Sequence, residues 1–95
     1  MKLSEQHPAD KTVSAKSFFK MEEGNATAIQ ILKNEKFKEH ITKVPALLMC
    51  VSGKIVFENE QSLKEPLSAG EYILIAPHVK HWMQAEEDSQ LVLLK

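Results

Sequence analysis

The stretch IAPHVKHWMQA, residues 75 to 85, places His78 and His81 three apart in a chain with four histidines. Imidazole is a common metal ligand and the side chain whose charge changes nearest neutral pH, so the pair raises metal binding or proton transfer. Residues three apart on a continuing strand face opposite ways, and only an irregular loop would bring both rings to one ion. His81 and Met83 share a face, while Trp82 takes the other. Upstream, His40, Thr42, Ala46, Leu48 and Cys50 have the same parity and point one way unless Val44 and Pro45 break the strand. If the two segments meet, His40 and His81 share a mostly apolar pocket lined by Thr42, Ala46, Leu48, Cys50 and Met83, a surface suited to a small-molecule ligand.

The residue types limit the chemistry. Two neutral imidazoles can hold Zn²⁺, Ni²⁺, Cu²⁺ or Fe²⁺, yet a tight site takes three or four protein ligands with a supporting shell. A Cys50 thiolate is the one further donor on that face, although a free cysteine more commonly serves as a small buried apolar residue. His7 lies in a polar segment and is read as solvated. No GxSxG, P-loop, CxxC or HExxH occurs, which sets those mechanisms aside.

The elements that must position these residues read as strands. Residues 1 to 16 are polar and form an N-terminal arm, mobile or ordered by a partner; residues 17 to 95 form the one domain. Ile29 and Ile31 alternate with Gln30, and a break is expected near Lys33 and Asn34. PALLMCVSGKIVFENE reads as a hairpin turning at Ser52 and Gly53, PLSAGEYILIAP repeats the design, and KHWMQAEEDSQLVLLK closes as another hairpin at the acidic EEDS. Phe18, Phe19, Phe37 and Phe57 are assigned to the core, and Trp82 to the core or a dimer contact. Seven or eight short strands without a helical stripe give an all-β class, a sandwich or barrel. The runs LLMCV, YILI and LVLL do not alternate, so both of their faces should be covered. A 95-residue chain has little material for that, and a homodimer is expected.

Twelve Lys and Arg against thirteen Asp and Glu leave no basic field to gather nucleic acid or anionic lipid, so neither partner is expected. The longest apolar run, ALLMCV, is far short of a membrane span. The opening MKLSEQHPADK lacks a signal-peptide apolar run, and one cysteine cannot close a disulfide, so a cytoplasmic location is expected.

KEHITKVPALLMCVSGKIVFE followed by LSAGEYILIAPHVKHWMQA resembles the two motifs of the small single-domain cupins, RmlC-like jelly rolls whose barrel is a double-stranded β-helix. The likeness covers residues 37 to 95. Counting back from Gly53, His40 falls on the first motif's first histidine, Thr42 on its second and Ala46 on its glutamate. In the second motif Gly70 and Pro77 match, Val79 replaces a common glycine, and His81 falls on the third histidine. The resemblance implies the jelly-roll fold; of the family's four metal ligands it leaves only His40 and His81.

Three functions are compatible with these residues. One is a dimeric barrel that binds a small organic molecule through His40 and His81; Ala46, which can neither balance a cation's charge nor act as a base, favours it. The second is a metal-dependent oxygenase, isomerase or lyase for a small polar metabolite, with the ion on His40, His81 and Cys50. The third is metal-free acid–base catalysis like that of the sugar epimerases on this fold, which needs a carboxylate to orient the histidine; none shares the pocket's parity.

Overall fold

Strands of alternating burial account for most of the chain, and the computed structural model describes all 95 residues. A 3₁₀ turn, Leu3–Gln6, precedes nine strands: β1 (Val13–Met21), β2 (Gly24–Ile31), β3 (Lys36–His40), β4 (Ala46–Ser52), β5 (Lys54–Asn59), β6 (Lys64–Ser68), β7 (Tyr72–Ile75), β8 (His81–Ala85) and β9 (Ser89–Leu94). They form two antiparallel sheets, one in the order β1-β2-β9-β4-β7 and the other β3-β8-β5-β6. The sheets enclose one core that includes Ile29, Ile31, Leu48, Ile55, Phe57 and Leu91. This is the expected jelly roll. No helix is long and apolar enough to cross a membrane.

The three expected hairpins are corrected. β4 and β5, β6 and β7, and β8 and β9 do not pair; each member of a pair lies in a different sheet. A turn glycine permits a sharp change of direction but does not decide whether the strands beside it pair or part. Here β4 pairs with β7 and β9, and β5 with β6 and β8, so each turn carries the chain from one sheet to the other. Gly53 shows how closely these crossings pack. Its φ is +84°, and a β-carbon there would lie 2.3 Å from the Asp88 carbonyl oxygen and 2.4 Å from the Ser89 hydroxyl.

At the N-terminus, residues 13 to 16 already belong to β1, paired with β2 from Val13 opposite Ile31, so the boundary drawn after residue 16 falls inside a strand. His7 is not solvated at its nitrogens: Nδ1 and Nε2 are both buried without a hydrogen-bond partner. Burial, then the nearby Lys16 ammonium, lowers its proton affinity. Phe57 is core and Phe37 packs against it, but Phe18 and Phe19 are 39% and 59% exposed. A register shift between Ser17 and Phe19 interrupts the alternation of β1. Phe19 pairs with Ala26, whose neighbour Thr27 lines the interior, and so faces outward.

The non-alternating runs do have two apolar faces. Across the five-stranded sheet, Phe19, Ala26, Leu94, Leu47 and Leu74 form one row on the side away from the core, and Ala28, Val92, Met49 and Tyr72 form the next, with Ala26 and Ala28 already buried within the single chain. Leu74 is 69% exposed and Tyr72 58%. Trp82 also faces outward, from the other sheet, with the Lys36 ammonium 5.9 Å from its ring centre.

Candidate functional site

The β3–β8 ladder sets His40 directly opposite His81 and Phe37 opposite Met83. A register shift between Phe37 and His40 cancels the expected opposition of residues three apart. The two rings stack with centroids 4.4 Å apart, and the His40 ring stands 6.3 Å from that of His81. His81 stacks on Phe57 at 5.5 Å.

Between the sheets a cavity of about 200 Å³ is lined by His40, Thr42, Leu48, His81 and Met83, five of the seven residues that parity places in a pocket. Ala46 and Cys50 are buried but do not line it. Parity gives the face of a strand, not the depth along it, and each two-residue step moves a side chain about 6.8 Å. Cys50 Sγ donates instead to the carbonyls of Ser52 and Gly53 near the crossing. Burial, then Glu71 and Glu87, pushes its thiol pKa up, against the thiolate that a metal ligand requires.

Other lining residues came unannounced. Phe37 and Ile41 enter through the irregularity of β3, while Ala15, Thr27 and Ile29 come from the β1–β2 hairpin. Leu93 and Lys95 share the parity of the fully buried Leu91, a signal that was legible. Ile75 completes the wall. His78 does not join His81: it is exposed at φ +64° in a turn, and its N–H donates to the Thr42 carbonyl at 2.8 Å, which fixes the backbone there.

Each imidazole is oriented by its own backbone. His40 Nδ1 is hydrogen-bonded to the Lys38 carbonyl, and His81 Nδ1 lies 3.4 Å from the Val79 carbonyl. The proton therefore sits on Nδ1, and Nε2 is left uncommitted on both rings. Burial is the main reason that His81 protonates less readily than a free histidine; His40 and Lys95 add to it, and the Val79 carbonyl opposes it. His81 is thus neutral at pH 7. No Asp or Glu lines the cavity. Thr42 is 3% exposed, and its hydroxyl has no hydrogen-bond partner.

The metal that the family resemblance implies does not fit these residues as a tight resident ion. No group of three or more His, Cys, Asp or Glu is placed to hold one. Two imidazoles without a carboxylate or thiolate fall short of the three or four ligands that such sites use. No acid–base pair is present either, since neither ring has a carboxylate to orient it.

Comparison with known proteins agrees with the fold. No curated protein matches the chain in sequence. Solved structures are similar in shape. A cupin superfamily protein from Desulfitobacterium hafniense superposes with a TM-score of 0.84 at 12% identity, covering 98% of this chain and 84% of that one. An RmlC-like cupin family protein with a double-stranded β-helix fold, from Methanocaldococcus jannaschii, gives 0.78 at 14%, covering 94% and 84%. KdgF from a Halomonas species gives 0.75 at 18%, covering 93% and 83%. At these identities the likeness is one of fold. Residues 28–95 match the model of the cupin domain, which extends the resemblance upstream from residue 37 into β2. With most of its length matched, the chain belongs to the cupin domain family.

Proposed function

We propose that this small cupin-barrel protein binds a small organic molecule in the cavity beside the β3–β8 ladder, with His40 and His81 as polar contacts. The observation that carries the reading is a mostly apolar cavity of about 200 Å³ with two uncommitted imidazole nitrogens at one wall. Ligand sites combine these features: apolar area supplies affinity, and a few oriented polar groups supply specificity. At roughly 30 Å³ per water, the space matches six or seven waters and suits a molecule of under about ten heavy atoms. A metal-dependent reaction would need donors that the cavity lacks.

The test is methyl NMR of Met83, inside the cavity, and Met49, on the outer face, against a panel of small acids, amides and alcohols. A saturable shift at Met83 alone, weakened by His40→Ala or His81→Ala, supports the reading. A Met83 signal that no compound moves overturns it.

The protein acts as a homodimer in this proposal, with a second copy covering the outer face of the five-stranded sheet. Five strands make that face about 24 Å wide. Its exposed apolar side chains, Phe19, Leu74, Tyr72 and Met49 among them, make a patch of the kind that a second copy would cover. The rows are uncharged except at Lys16, which pairs with Ala28 at one edge, so two copies can meet without burying opposed charges. The free thiol of Cys50 suits a reducing compartment, and we place the protein in the cytosol on that ground.

A further inference from the structure

The side chains around the cavity do not balance, while the main-chain carboxyl oxygen of Lys95 is held by the Asn25 N–H at 2.6 Å. Lys95 and two imidazoles line it, with Thr27 and Thr42 as the hydroxyl groups, and no side-chain carboxylate or amide is present. We infer that the cavity selects an anion, a small organic acid whose carboxylate is drawn to the Lys95 ammonium and the Thr42 hydroxyl while its carbon chain lies on Ile29, Leu48 and Met83. This rests on reading the cavity as a binding site and adds its chemical class.

Thr42 is the independent pointer. Its hydroxyl is buried, unpartnered and at the cavity wall, and a buried polar group without a partner is destabilising unless something supplies one. A carboxylate only accepts hydrogen bonds, and a lysine only donates them. The hydroxyl can donate as well, so the two groups together match an acceptor. A phosphate dianion would need more than one lysine in a largely apolar space to offset its desolvation. A sugar would leave several hydroxyls unpaired, because the lining has too few polar groups to receive them.

The experiment titrates butanoate and its neutral isostere butanamide into the full chain at low ionic strength, using calorimetry and the Met83 methyl signal. Lys95→Met and Thr42→Val are run beside the unaltered protein. The expected result is at least tenfold tighter binding of butanoate than butanamide, a preference lost in Lys95→Met and weakened several-fold in Thr42→Val. Lys95 is exposed, so Lys95→Met leaves the fold intact and decides the matter even if Thr42→Val unfolds. Butanamide binding as tightly as butanoate, with Lys95→Met without effect, overturns the anion class and leaves the cavity reading standing. If neither compound moves Met83, while longer acids and amides also fail, both readings fall.

Discussion

The ring of His81 lies stacked on Phe57 with centroids 5.5 Å apart, and the groups that face it are His40 and Lys95 rather than a carboxylate. Protonating such a ring in the folded state is unfavourable, and the same holds for His7, whose nitrogens are buried without partners. Both folded-state affinities lie below the ordinary value of 6.5. Just below that pH the unfolded chain therefore binds more protons than the folded one, and stability falls as pH falls. The melting temperature at pH 5.5 is expected to be lower than at pH 7.5. His81→Gln and His7→Asn should each flatten part of that dependence. A melting temperature that rises on acidification would contradict the buried-histidine account.

Gly53 is expected to be hard to replace. A β-carbon there meets the Asp88 carbonyl and the Ser89 hydroxyl well inside contact distance, at a φ of +84°. The Ser89 hydroxyl cannot simply swing away, because it accepts from the Lys54 N–H at 3.0 Å and donates to the Glu87 carbonyl at 2.7 Å. Strain of this kind costs about 1–3 kcal/mol before the clash is counted. Chemical denaturation of Gly53→Ala should show a loss of at least about 2 kcal/mol. Gly70, whose φ is +86° but whose β-carbon would meet nothing within 4 Å, serves as the strained control without a clash.

Parity was enough to turn His40, Thr42, Leu48, His81 and Met83 toward one cavity, Leu48 from the five-stranded sheet and His40, His81 and Met83 from the other, because a strand's side chains alternate whatever sheet it joins. Pairing was less legible. Ser52 and Gly53 give the same turn signal for a hairpin and for a crossing, and only the packing of β4 against β7 and β9 decides between them. The register shift in β3 also left no trace in the sequence: Lys36, Phe37 and Lys38 alternate regularly, yet Phe37 and His40 end on the same side. Cys50 was placed on the right face and at the wrong depth. Phe18 and Phe19 read as core because large aromatics usually are, but Phe19 faces outward and Phe18 lies beside the N-terminal residues Met1, Lys2, Leu3 and Gln6.

Metal content separates the binding module from a metal enzyme. With two imidazoles and no third donor, protein equilibrated with Zn²⁺, Ni²⁺ or Fe²⁺ and then desalted is expected to hold well under one ion per chain by elemental analysis. Cys50→Ser should not change that value, since the thiol is engaged with Ser52 and Gly53. One ion per chain, lost in both His40→Ala and His81→Ala, would return the metal-dependent reaction to first place.

The outer face of the five-stranded sheet makes the last prediction. Leu74 and Phe19 end opposite edges of one apolar row and are 69% and 59% exposed in the single chain. If a second copy covers this row, a charge in it must be desolvated on association, whereas in the free monomer it stays in water. Leu74→Glu is therefore expected to shift the mass measured by light scattering from two chains to one, with little change in monomer fold. Gln84→Glu, on the outer side of the four-stranded sheet, should leave the mass unchanged. A monomer in the unaltered protein at tens of micromolar would remove the dimer and leave the apolar row without a covering partner. A dimer that survives Leu74→Glu but is broken by changes around Trp82 would move the contact to the other sheet, where Lys36 already lies over the indole.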